Sequence, residues 1–151
     1  MKKLIVLLLF IPLVSFSQVT YDDIMKLDSR DAFIKFMFDA QFSFLPSHSS
    51  GDDLAYALNP TEMDSSYPSS SHFANWFEDD FFIFSFERSD AKVNENNYNT
   101  ILKKVKSRCK FIEMRKITNS YYGCYECDDA KFKSKILGFT IDGNRGEIIQ
   151  M

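Results

Sequence analysis

The sequence is poor in the residues from which most catalytic fingerprints are built. Among 151 residues there are two histidines, three cysteines, five glycines, four prolines and one tryptophan. No G-x-S-x-G nucleophile elbow occurs, and no cofactor fingerprint is present. After residue 14 no apolar run approaches the about 20 residues that a membrane-spanning helix needs. Together these absences argue against a cofactor-dependent enzyme and against a membrane span in the mature chain. What the chain has in quantity is phenylalanine, sixteen of them, within a composition that is 45% apolar and 16% aromatic. That is ample for an aromatic core, and disorder is expected only in loops.

The first residues, Met1-Lys2-Lys3, are a short positive stretch, followed by an apolar run from Leu4 to Val14 that includes Pro12. Ser15 and Ser17 flank Phe16 in a small-x-small pattern just before Gln18. This is the layout of a signal peptide over residues 1–17, too short for a spanning anchor. No Cys follows it to carry a lipid. The expectation is an exported chain, periplasmic or extracellular, in which residues 18–151 form one domain of 134 residues, a size that supports its own core.

Charge is unevenly distributed. Residues 19–97 hold fifteen Asp and Glu against five Lys and Arg, whereas residues 98–151 hold eleven Lys and Arg against six Asp and Glu. Oppositely charged halves attract within one fold, and the same asymmetry can form a charged recognition surface. The densest cationic stretch, Lys103 to Lys116, contains seven Lys and Arg and a single Glu. Its plain role is a solvated helix face. Its sharper role is a binding surface built on Lys103, Lys104, Arg108 and Arg115. Poor aromatic interleaving and export argue against nucleic acid, which leaves another protein, or an anionic envelope component, as the partner.

Hydrophobic spacing predicts an α+β fold: two helices packed on one face of an antiparallel sheet. Ala32, Phe33, Phe36, Met37 and Ala40 follow capping-type Asp28 and Ser29 at helical spacing, after a short turn over 21–27. Residues 42–45 and 54–58 read as strands, 60–72 as an irregular Ser/Pro-rich loop, 72–80 as one helical turn, and 81–86 as an aromatic strand. A second helix, capped by Asn97, carries Tyr98, Ile101, Leu102, Val105 and Cys109 on one side. Strands follow over 110–117, 121–127 and 133–141, and Asp142-Gly143-Asn144 turns into a last segment at 147–151. A shift of 69 residues superposes the halves as two α-β-β-β repeats, pairing Phe33 with Leu102, Tyr56 with Tyr125 and Leu58 with Cys127. Binary patterning alone can also produce that match.

In an oxidising compartment three cysteines imply at least one disulfide. Strand parity puts Cys127 on the inward face with Gly123 and Tyr125, and Cys109 ends the apolar stripe of the helix. The pairing favoured is Cys109–Cys127, leaving Cys124 as a free thiol on the other face, with Cys109–Cys124 as the alternative. A redox reading of Cys124-Tyr125-Glu126-Cys127 is disfavoured by Asp128 and Asp129, whose charge raises a thiol pKa. A zinc site lacks finger-like spacing.

Other chemistry is thin. The acidic runs Asp52-Asp53 and Glu78-Asp79-Asp80 suit solubility better than glycosidase or calcium chemistry. Residues 142–146 open like a calcium loop but the chain ends before its last ligand. The reading is therefore an exported recognition protein of inhibitor or immunity type, with no catalytic residues, no metal and no cofactor assigned. Two alternatives stand beside it: a small hydrolase working from the loops around His48 and His72, and a self-assembling subunit that sets its acidic half against its basic half.

Overall fold

The computed structural model describes residues 19–61, 69–78, 81–87, 97–141 and 145–151. The segment read as a signal peptide and the expected cleavage point lie outside the described residues, as do 62–68 of the expected Ser/Pro-rich loop, Asp79 and Asp80 of the second acidic run, and residues 142–144 of the expected turn.

The architecture is an antiparallel eight-stranded sheet with three short helices. Helix α1 spans Tyr21–Lys26 and α2 spans Arg30–Asp39. Thr20 caps α1 in a reciprocal box with Asp23, and the Ser29 hydroxyl accepts from the Ala32 amide to cap α2, each cap contributing about 1 kcal/mol. Strands β1 (Phe42–Phe44), β2 (Leu54–Leu58), β3 (His72–Phe77) and β4 (Phe81–Glu87) follow. Helix α3 covers Asn97–Arg108, and β5 (Lys110–Ile117), β6 (Ser120–Cys127), β7 (Lys135–Thr140) and β8 (Arg145–Gln150) complete the chain. The strand order is β1-β2-β3-β4-β8-β7-β6-β5, so each half runs from an outer edge to the centre, where β4 pairs with β8.

Two expectations are corrected. Residues 72–77 are a strand, not a helical turn: Ala74 and Trp76 are buried toward one face while β3 pairs with β2 and β4 along its length. Phe73, Trp76 and Phe77 satisfy a helical spacing as well as an alternating one, and the flanking strands decide between them. Asn97 is the first residue of α3 and not its cap.

One face of the sheet holds the main core. Phe33 of α2 meets Tyr56, Trp76, Phe82 and Phe84 at ring separations of 5.4 to 6.2 Å. Phe36 meets Phe84 edge-on, and Tyr98 of α3 lies against Phe86 and Phe139. Gly146 is required beneath Tyr98, because a Cβ there would come within 2.7 Å of the ring. This close approach lets the Tyr98 hydroxyl donate to the Thr140 carbonyl at 2.5 Å. No helix of the described residues is long and apolar enough to cross a membrane.

Candidate functional site

The disulfide joins Cys109 to Cys127, with Cα atoms 4.5 Å apart and a sequence separation of 18. It ties the residue after α3 to the last residue of β6, and closing a loop of this length is worth about 3 kcal/mol in the chain-entropy account. Cys124 is free and buried. It belongs to a cluster with Tyr122 and Ile149, separate from the main core that holds Cys127. Burial pushes its thiol pKa up, while Arg115 pulls it down and Glu113 adds to the rise; such a thiol is a poor nucleophile.

The four cationic residues singled out from the sequence fall in two places. Lys104 and Arg108 project from α3 over the Tyr21 ring, 5.2 and 5.8 Å from its centroid. Each has a carboxylate partner: Lys104 donates to Asp22 at 2.9 Å and Arg108 to Asp129 at 3.3 Å. The hydrogen bond from Lys104 holds the Asp22 carboxyl below its ordinary pKa. Lys103 is exposed on the same helix. Arg115 lies apart, on β5, where its guanidinium pairs with Glu113 and approaches the Met151 sulfur at 3.5 Å. Among the described residues, Lys103, Lys106, Lys110 and Lys116 have no carboxylate at ion-pair distance.

The sequence reading missed the position of β5. It is an outer strand of the sheet, and all of Lys110–Lys116 is exposed, with Ile117 half-buried. Its register against β6 shifts between Phe111 and Glu113, a bulge at Ile112. The bulge places Phe111 and Met114 on the same face, both beside Gly123, where a Cβ would lie 3.9 and 3.7 Å from them. Even so, Phe111, Ile112 and Met114 remain 49%, 43% and 46% exposed. Cations lie directly beside them: Lys110, Arg115 and Lys116, the last over the Tyr121 ring at 5.8 Å. Behind Arg115 a shallow groove of about 390 Å³ is lined by Phe81, Ile117, Ile149 and Met151.

The serine contacts of the two histidines are local. His48 is exposed on the 3-10 turn Pro46–His48, where its Nδ1 meets the Ser47 hydroxyl at 3.2 Å. In β3, His72 Nδ1 meets Ser71 at 2.7 Å, and the ring packs edge-on against Phe86. Both serine contacts join sequence neighbours, which any Ser-His dipeptide can do. Among the described residues, no three His, Cys, Asp or Glu side chains gather to hold a metal. Asp53 of the first acidic run instead accepts from the Glu78 amide at 2.8 Å, closing a loop against the end of β3.

One further polar residue escaped the sequence reading. Lys135 is buried at the start of β7. Its ammonium donates to the carbonyls of Ile24 (3.3 Å) and Leu27 and to Gln150 Oε1 (3.0 Å), so it caps the C-terminal end of α1. Burial lowers its pKa to about 8, with Asp28 opposing and Lys133 reinforcing the shift.

Comparison of the chain with protein-family models, with curated proteins and with solved structures returns no match.

Proposed function

We propose that this chain is an exported recognition protein, of inhibitor or immunity type, that binds another protein through the side formed by α3 and β5. The observation that carries the reading is the exposed, apolar and cationic β5 at the sheet edge. Edge lysines by themselves serve to blunt a sheet edge, but Phe111, Ile112 and Met114 exposed between them do not, and exposed aromatic and methionine side chains suit a protein interface. The cationic flank favours an acidic partner by long-range attraction. Lys103 and Lys106, with no carboxylate at ion-pair distance among the described residues, extend that flank along α3.

The architecture that presents this side is, in this reading, a repeated unit. Helix α2 with β1–β4 and helix α3 with β5–β8 are two copies, and both helices lie on the aromatic face. The strand order from each edge to the centre supports it, as does the ring contact of α2 with Phe84 and of α3 with Phe86, two residues apart on β4. The strand at 72–77 gives each copy four strands, one more than the sequence spacing implied. Export is supported by the Cys109–Cys127 disulfide, a bond that persists in oxidising compartments.

The test is a quadruple alanine variant at Lys103, Lys104, Arg108 and Arg115. Its capture of acidic proteins from envelope extract is expected to fall several-fold while its thermal transition stays within a few degrees. Unchanged capture removes this surface from consideration.

A further inference from the structure

We infer that β5 takes up an extended acidic segment of a partner protein as a ninth strand of the sheet. The inference rests on the recognition reading above and says how the contact is made. A sheet edge carries a row of backbone N–H and C=O groups that face away from the neighbouring strand, and these are the template for strand addition.

The two edges of this sheet are not equivalent. At one end, β1 is three residues long, and Leu45-Pro46 follows it directly into a 3-10 turn. A strand that short offers little ladder, and the proline removes a donor just beyond it. At the other end, β5 runs for eight residues without proline or glycine, and beyond the bulge at Ile112 it keeps a regular register from Glu113 to Ile117, long enough for about two or three inter-strand hydrogen bonds. Its side chains offer contacts to a ninth strand on both faces. Phe111 and Met114 stand on the face above Gly123 and Tyr125, with Lys116 next to Tyr121. Glu113 and Arg115 stand opposite Cys124 and Tyr122 on the other face.

Charge selects the occupant. Lys110, Arg115 and Lys116 against Glu113 give β5 a net charge of +2. Two copies of β5 side by side would therefore bring like charges together, the arrangement by which edge lysines discourage self-pairing. An acidic strand meets the opposite situation, finding Arg115 on one face and Lys116 on the other. Lys106 and Arg108 lie at the end of α3, one residue before β5 begins, and extend the attraction past the N-terminal end of the strand.

The experiment uses the whole mature chain and two blocked hexapeptides, one alternating Glu with Val and one alternating Lys with Val. Backbone amides of β5 are followed by NMR-detected hydrogen exchange. At saturating acidic peptide, alternate β5 amides are expected to exchange at least about tenfold more slowly, with an effect that weakens as salt rises. The lysine peptide is expected to leave them unchanged, and a Lys110→Glu/Lys116→Glu variant is expected to exchange the two preferences. Acidic-peptide binding that perturbs α3 around Lys103 and Lys106 without slowing β5 amides would overturn strand addition while leaving the recognition surface in place. No binding of either peptide would overturn strand addition. So would β5 protection that grows with protein concentration alone, because it would make a second copy the occupant. Loss of capture in the alanine variant above is read separately, so the two ideas fail independently.

Discussion

The two faces of the sheet solve the same burial problem by different means. On the aromatic face, Phe33, Trp76, Phe82, Phe84, Phe86 and Phe139 are essentially inaccessible and pack ring against ring. On the other face, beside a small cluster of Leu45, Ala55 and Ala57, a second cluster buries Tyr122, Cys124 and Ile149. They are covered by half-buried Phe81, Ile83, Ile117, Ile136 and Met151. Polar groups are threaded through this second cluster: Tyr122 donates to Glu147 at 2.5 Å, Ser85 reaches the same carboxylate at 3.4 Å, and the Thr140 hydroxyl accepts from the Glu147 amide. Arg145 stacks on Phe73, 4.9 Å from its centroid, and donates to the carbonyls of Ser70, Ser71 and Ser85. The aromatic face thus supplies most of the stability through dispersion and water exclusion. The second face stays partly wet and chemically adaptable.

The sharpest way to break this comparison is truncation on each face. Phe33→Ala removes a ring that touches four others and is expected to cost about 4 kcal/mol in urea-induced unfolding. Phe81→Ala, at a half-exposed position stacked only on Phe77, is expected to cost about 1 kcal/mol. Equal costs would show that the faces share the load.

The next effect concerns the cation inside the aromatic face, where the Lys135 ammonium lies 5.9 Å from the centroid of Phe82. Its pKa is about 8 in the folded chain, below the ordinary lysine value of about 10.4 in the unfolded chain. Below pH 8 both states are protonated, and this residue contributes no pH dependence. Between pH 8 and 10 the unfolded chain holds more protons, so stability rises with pH, by up to about 3 kcal/mol. Toward pH 10 and above, Tyr21 and Tyr56 oppose the trend. Burial raises their pKa values in the fold, so their contribution is lost as pH increases. Denaturation midpoints measured from pH 7 to 10 should climb in the wild type and fall in Lys135→Met, where the buried Cys124 thiol, its pKa raised in the fold, loses its contribution once pH passes the ordinary thiol value of about 8.5. A wild-type midpoint that falls over this range would contradict a desolvated ammonium.

The smallest effect belongs to the second face. Tyr122→Phe deletes one hydrogen bond to Glu147 and is expected to lower stability by about 1 kcal/mol. A loss of 3 kcal/mol or more by the same unfolding measurement would mean that the polar network, and not the apolar cluster, holds this face together.

Much of the aromatic face was legible in the sequence because its signals are local. Phe82, Phe84 and Phe86 alternate, and Tyr98, Ile101 and Val105 recur at helical spacing; all six are buried as that spacing requires. Strand parity, the match of the Cys127 face to Leu54, Tyr56 and Leu58, and the place of Cys109 on the helix stripe together put Cys127 inward and Cys124 on the other face, and the disulfide follows that assignment. What escaped detection depends on sheet order, which no local pattern encodes. Residues 110–117 read readily as a strand, but its place at the edge follows from β6, β7 and β8 stacking inward toward β4. Lys135 was hidden for a related reason. It is one of three lysines at 131, 133 and 135, and only its shared face with Leu137 and Phe139 distinguishes it. The serine contacts of His48 and His72 join sequence neighbours and were legible from the dipeptides themselves.

The anchoring of α1 has a consequence for the order of events during folding. A six-residue helix does not persist alone in water, and α1 is held by groups that follow much later in the chain. The separation is 82 residues from Asp22 to Lys104, 88 from Tyr21 to Cys109, and 108 and 111 from Leu27 and Ile24 to Lys135. Closing loops of that length precedes any gain from the contacts they make. Contact order therefore predicts that α1, the N-terminal helix among the described residues, settles late, as a latch over a sheet already formed.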